Sequence, residues 1–308
     1  MRIVLAIATY FGYIFIIVMY SVKLVKYLNL PMHLRTEVYP VIPGDQTSKE
    51  RSRYEDLDWW TRPRRPHLVR RIWFLFSDYF ILREYFRRDR SYWLFLYPWH
   101  IGFILIITFH ILCFFGALVS LLGIPVTHGS SSIFGNVIYD LTLATGVVSF
   151  ILGLFGSVGI LIKRLIDKDL RNYATPQNYF TYILLLAVFL SGLYSWYFDP
   201  AFSVYRSFWM GLITSRPIDV EPATAFHILL FALLLIYLPF TRSLHYITRI
   251  FAFLFIRWDD KPNLRGSMLE KEIEEMVRLK VDWRGPHIKP GRTWKELASE
   301  VVVREKNR

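Results

Sequence analysis

The sequence predicts an all-α membrane protein with five transmembrane helices, and three observations carry the prediction. Five apolar runs each approach or exceed the ~20 residues a helix needs to cross a hydrocarbon core. Of the 308 residues, 54% are hydrophobic and 18% aromatic, which is neither the composition of an ordinary soluble domain nor that of a disordered chain. The net charge of +12 lies almost wholly between the apolar runs, so it reads as membrane topology and not as affinity for nucleic acid.

Helix one is expected over residues 3–22. Only Arg2 precedes it, whereas Lys23 and Lys26 follow, the reverse of a signal peptide's charge pattern, so it is expected to stay in place with the N-terminus outside. Residues 24–92 are rich in Lys and Arg and are placed on the cytoplasmic side. Their first part, 31–66, is dense in Pro, charge and turn-formers. Their second part, HLVRRIWFLFSDYFILREYFRRDR at 67–90, alternates aromatic and aliphatic positions with arginines and reads as an amphipathic interfacial helix among anionic lipid headgroups.

Helix two is placed at 93–122, and the loop 123–136, free of basic residues, on the outer side. Helix three, 137–162, is rich in glycine (GVVSFILGLFGSVG), which lets a neighbouring helix or a cofactor approach closely. It ends at Lys163 and Arg164, inside. Thr175 and Pro176 stand as N-cap and first residue of helix four, 177–198. An outer loop follows at 199–222, where Arg206 and Arg216 are balanced by Asp199, Asp219 and Glu221. Pro222 opens helix five, 223–256, which at 1.5 Å per residue is ~50 Å long and must kink or protrude, with Pro239 as the kink. The division is then a transmembrane domain at 1–256, including the cytoplasmic insertion 24–92, and a cytoplasmic tail at 257–308. In the tail, Ser267 with Glu270 and Thr293 with Glu296 have capping-box spacing, and two short docking helices are expected.

Four histidines fall inside the apolar runs: His100 and His110 in WHIGFILIITFH, His227 and His245 in FHILLFALLLIYLPFTRSLH. A polar ring at membrane depth is costly unless it is paired or coordinated. Ten helical residues leave the first pair about 80° apart with a rise of ~15 Å, and eighteen residues put the second pair on one face with a rise of ~27 Å. If the two helices run antiparallel, His110 faces His227 and His100 faces His245, and two stacked bis-histidine haem b sites follow. The unequal rises require a tilted helix or oblique porphyrins. The single cysteine, Cys113, excludes disulfides and thiolate-built clusters within the chain, and without a CxxCH motif the haem is held non-covalently.

Those two histidine segments, with their spacings of ten and eighteen, closely resemble the haem-ligand segments of the respiratory nitrate reductase gamma subunit family, and Lys163–Leu165 resembles the basic end of that family's third helix. The resemblance implies a five-helix dihaem cytochrome b moving electrons between quinol and an iron–sulfur partner. The basic insertion after helix one and the C-terminal WRGPHIKPGRTWKELA further resemble the DsrM/HmeC cytochrome b subunits of sulfite-reduction-associated DsrMKJOP (Hme) complexes. That likeness implies menaquinol as substrate, a cytoplasmic heterodisulfide-reductase-like iron–sulfur subunit as partner, further membrane and external subunits, and anaerobic sulfur or sulfate respiration in a prokaryotic cell membrane.

The other candidates each have two readings. Arg242, one turn before His245, suits a haem propionate or an anchor at the inner face, and Arg249 and Arg164 are weaker versions of the same argument. His128 and Asp140 stand near the outer end of helices two and three, placed to accept a quinol proton, although a solvated loop histidine is the plainer account of His128. The gamma subunits have a lysine at this outer site, and residues 111–162 here contain neither Lys nor Arg. His33, His67 and His287 lie in polar segments and read as surface or subunit contacts. The rival function is a non-redox anchor or a transporter with pore-lining histidines, a class that favours the mid-span carboxylates nearly absent here.

Overall fold

The computed structural model describes residues 1–28, 69, 73, 76–77, 80–241, 245, 265–286 and 288–300. Two compact units are present: Met1–Ser21 with Ile72–Leu244, and Val22–Arg71 with His245–Arg308. Both are helical. The helices are α1 (Arg2–Leu28), α2 (Arg83–Arg88), α3 (Arg90–Leu121), α4 (Ile133–Ile166), α5 (Lys168–Asn172), α6 (Pro176–Phe198), α7 (Ser203–Ile213), α8 (Pro222–Tyr237, continued by a 3-10 turn at Leu238–Phe240), α9 (Met268–Val277) and α10 (Trp294–Ser299). Among the described residues, five helices are long and apolar enough to cross a membrane: α1, α3, α4, α6 and α8 with its 3-10 turn.

Caps set the helix boundaries. The Asp89 carboxylate accepts from Tyr92 N (2.9 Å) to open α3, Ser132 caps α4, and Asn178 Oδ1 accepts from Thr175 N (2.9 Å) to open α6, with Pro176 at its first turn. Glu221 accepts from Thr224 N (3.2 Å) before Pro222 at the start of α8. Contacts tie the helix ends together in two groups. At one end, Lys163 Nζ reaches Ser91 Oγ (2.5 Å) and Gln177 Nε2 reaches the Phe240 carbonyl (3.1 Å). At the other, Arg2 N meets Asp219 Oδ1 (3.3 Å) and the Tyr10 hydroxyl donates to the Leu212 carbonyl (2.6 Å). Successive spans therefore alternate in direction, and α3 runs antiparallel to α4.

Glycine decides how closely α3 and α4 approach. A Cβ on Gly102 would lie 2.6 Å from the Gly153 backbone nitrogen, and one on Gly156 would lie 2.4 Å from Trp99 N, so these are backbone-to-backbone contacts that only glycine permits. Other glycines receive aromatic rings from neighbouring helices: Phe189 packs on Gly153 and Phe150 on Gly192. The expectation of close approach along helix three is met chiefly by rings set into glycine notches.

Three expectations need correction. The single helix over 67–90 is broken: Val69, Trp73, Phe76 and Ser77 are helical, but the chain bends at Phe80–Leu82, where Leu82 takes φ 53°, before α2 starts. The outer loop 199–222 contains a helix, α7, whose Tyr205, Arg206, Phe208, Trp209, Gly211 and Leu212 are buried. Helix five is not continuous, because its α-helical part ends at Tyr237 and Pro239, which offers no N–H, sits in the 3-10 turn. The arithmetic that placed His227 and His245 on one face with a rise of ~27 Å assumes an unbroken helix, and it does not apply. Residues 246–256 of that expected helix lie outside the described residues.

The second unit's tail begins α9 with the Ser267 hydroxyl accepting from Glu270 N (3.1 Å), and α10 with a reciprocal box between Thr293 and Glu296. Between them Val281 N bonds the Arg292 carbonyl (2.8 Å) and Gly291 N the Val281 carbonyl (2.7 Å), leaving Val281 buried beneath the turn. Leu279, Trp283 and Trp294 are exposed.

Candidate functional site

His110 and His227 meet in the interior of the first unit, from α3 and α8, at 1% and 3% exposure. Their ring centroids are 5.5 Å apart and their planes differ by 19°. Phe231, one turn past His227, lies 3.4 Å from His110 at 16°, a separation that nearly parallel rings reach only face to face. His227 is 6.4 Å from Phe231, so the triangle of centroids is close to right-angled at His110. Phe231 thus covers the face of His110, whereas His227 lies in the plane of that ring, the direction in which an imidazole lone pair points.

Each ring has one nitrogen engaged and one open. His110 Nδ1 is 2.5 Å from the Tyr205 hydroxyl on α7, and His227 Nδ1 is 3.0 Å from Ser191 Oγ on α6. His110 Nε2 and His227 Nε2 are both buried, without a hydrogen-bond partner among the described residues. A buried nitrogen left open costs about 1–3 kcal/mol, and here two neighbouring rings each leave one open. Hydrogen bonds of this kind orient ligating imidazoles, fixing the proton on Nδ1 and turning Nε2 toward a metal. Two metal–imidazole bonds of ~2.0–2.1 Å would need a ring separation within about 1 Å of the one found. The residues fit a bis-histidine haem iron. No group of three or more His, Cys, Asp or Glu side chains suited to a metal occurs among the described residues, and haem is a group whose own four nitrogens complete the coordination.

The surroundings hold this pair in place. Phe109, Phe150, Phe202 and Phe231 ring it and keep it dry. Phe202 takes φ 50° at the start of α7, a left-handed conformation that costs about 1–2 kcal/mol for a residue with a Cβ. Its ring is wedged 4.6 Å from Phe109, and the Asp199 carboxylate fixes the turn by accepting from Ser203 N (3.0 Å) and Val204 N (2.7 Å). On α6, Ser191 and Ser195 stand one turn apart and meet His227 and Thr224 of α8, the second contact at 2.6 Å. Tyr205 and Ser191 were missed in the sequence. The signals were the apolar spacing of Val204, Tyr205, Phe208, Trp209 and Leu212 and the paired serines in an otherwise apolar span.

The remaining candidates fall in different places. His100 is buried on α3 at 8% exposure, two residues past Pro98 inside the helix. Beside it Trp99 packs on Tyr182 (5.4 Å), and Arg164 lies 5.2 Å over that tyrosine ring with Nη2 3.3 Å from its hydroxyl. The Trp99 Nε1 and Arg164 Nε donors have no partner among the described residues. His245 is helical, exposed and part of the second unit. Arg242, Arg249, His33, His67 and His287 lie outside the described residues. His128 is exposed, its ring 6.0 Å from Tyr139, and Asp140 is exposed on α4, so neither joins the His110–His227 pair. Cys113 is a free, buried thiol.

Comparison with known proteins identifies one family: the model described as nitrate reductase gamma subunit matches residues 88–259. No curated protein and no solved structure matches the chain.

Proposed function

The chain belongs to the nitrate reductase gamma subunit family, membrane cytochromes b that serve as electron-transfer subunits of respiratory oxidoreductase complexes, and from that premise we propose a dihaem quinol-linked cytochrome. The observation that carries the proposal is the pair of buried imidazoles, His110 and His227, set edge to edge with both Nδ1 atoms engaged and both Nε2 atoms open. His100 and His245 are proposed as the second ligand pair on the strength of the likeness of their segments to the family's haem-ligand segments. When bound, the two b haems supply the one-electron chemistry linking menaquinol at one face to an iron–sulfur subunit at the other.

The protein's own part is division of labour by position. Tyr205 and Ser191 orient the two imidazoles, and the phenylalanine ring wall excludes water. Lys163, Arg164, Lys168 and Arg171 gather at the α4–α6 connection, whereas residues 122–132 carry no basic residue, and by the positive-inside rule this asymmetry supports a cytoplasmic position for the former end. The N-terminus is then outside and the tail inside. Trp283, Trp294 and Leu279, exposed on the tail, are proposed as the dock for a heterodisulfide-reductase-like partner in a sulfur- or sulfate-respiring complex, with Arg242 toward a propionate and His128 or Asp140 as quinol proton acceptors.

The test is to purify the full chain, reconstitute it in quinone-free vesicles and record reduced-minus-oxidised spectra after adding menadiol. Non-covalent b-type haem near two per chain, reduced by menadiol, is expected. A folded protein without haem would leave the anchor or transporter reading in its place.

A further inference from the structure

The residue after Tyr205 is a buried cation that the histidine pair does not use. Arg206 is 5% exposed, and among the described residues it has no ion pair. Its Nη2 makes one long bond, 3.5 Å, to the Ala201 carbonyl, and its Nη1 has no partner. Asp199, the acid nearest in sequence, is committed elsewhere: its two oxygens accept from Ser203 N, Ser203 Oγ and Val204 N. A guanidinium carries five N–H donors, and a charge kept from water with an open donor is strongly disfavoured unless something else meets it.

Its position says where that ligand would come from. On α7, Tyr205 turns to His110 while Arg206 turns to Gly116, six residues further along α3, a rise of ~9 Å toward the helix end that carries the loop 122–132. Gly116 makes the approach possible, since a Cβ there would lie 3.3 Å from Arg206 Cδ. Cys113 and Tyr139 are the other titratable side chains that bias its charge, and neither meets it as a hydrogen-bond partner. The open donor therefore sits in the α3–α7 seam, displaced from the histidine pair toward the same end of the bundle.

We propose that Arg206 is the oxygen-binding cation of the redox site at this end of the bundle, its open Nη1–H donating to an anionic or carbonyl oxygen of the bound redox group. The proposal rests on His110 and His227 being haem ligands. Two sources carry such an oxygen, a haem propionate and the quinol headgroup, and a planar guanidinium suits either.

The experiment compares the full-length purified protein with Arg206→Gln and Arg206→Lys. Haem content is measured first. Wild type without haem would overturn the ligand assignment and this proposal with it. With haem present, two arms separate the sources. If the oxygen is a propionate, Arg206→Gln lowers the midpoint potential of one haem in quinone-depleted protein, by about tenfold in the one-electron equilibrium, or 59 mV. If it is a quinol oxygen, potentials hold and the menadiol concentration for half-maximal haem reduction rises about tenfold. Arg206→Lys keeps most of the wild-type value in either arm. If Arg206→Gln does not accumulate, Gly116→Ala, whose methyl presses on Arg206 Cδ, gives a smaller shift of the same kind. Haem-replete Arg206→Gln that matches wild type in both arms overturns the proposal, as does an equally unchanged Gly116→Ala where it is the variant available.

Discussion

Replacing Tyr205 by Phe removes one oxygen atom from the interior, and its consequence is readable in a single haem. The hydroxyl stands 2.5 Å from His110 Nδ1. With Nε2 facing iron, Nδ1 carries the proton and donates to the phenol oxygen, which makes the imidazole a stronger electron donor and favours the oxidised, more positive iron. Loss of the bond withdraws that preference. A buried hydrogen bond is worth about 0.5–1.5 kcal/mol net, and 59 mV corresponds to a tenfold change, so the potential of that haem rises by about 20–65 mV. Ser191→Ala, acting on His227 through the longer 3.0 Å contact, shifts the potential in the same direction and by less. The assay is an optical redox titration of purified protein, which separates haems of different potential. Both substitutions move the same haem if His110 and His227 share an iron. Shifts in different haems, or no shift with haem content intact, would overturn the assignment of both imidazoles to one iron.

Other expectations are independent of that titration. Gly156→Ala puts a methyl 2.4 Å from Trp99 N, a backbone atom that cannot swing aside, so α3 and α4 must part beside His100. A loss of about 1–3 kcal/mol is expected, read as a lower unfolding temperature in thermal melts of the detergent-solubilised protein. If the tail docks an iron–sulfur partner as proposed, truncation before residue 265 leaves haem content and menadiol-driven reduction intact and abolishes reoxidation by that partner. Unchanged reoxidation would remove the tail from the interface. In the tail, Thr293 holds the Glu296 carboxyl, and Arg292 the Glu300 carboxyl, below the ordinary value of 4.5. Folded pKa values that are depressed add stability above about pH 4.5 that is lost as pH falls below it, so cleavage within α10 by an acid-active protease accelerates below that pH relative to the same protease acting on the unfolded chain.

Much of the spanning architecture was legible because its signals are local. Apolar length marks a span, and Thr175–Pro176 and Pro222 mark where helices start, as the structure has them. The histidines of the central pair were visible for a similar reason: a polar ring in an apolar run stands out. What holds them was not. Tyr205 is 95 residues from His110 in sequence and Ser191 is 36 from His227, and no periodicity reports which remote hydroxyl will face a ring nitrogen. Helix α7 was hidden by its own composition, because Arg206 and the acidic residues around it read as a solvated loop, while its buried face became evident only against α3. The break at Pro239 was expected from the missing N–H, yet the spacing argument for His245 was built on a continuous helix. A proline in the run should have limited that arithmetic to the residues before it.

His110 and His227 are proposed to hold the same haem iron. The measurement that tests it most directly is the haem content and low-temperature reduced-minus-oxidised spectrum of His110→Ala and His227→Ala, each purified as the full-length protein beside wild type. Each variant is expected to lose one b haem, and the absorption component lost is expected to be the same in both. Loss of different components, or full haem retention in either variant, would contradict it.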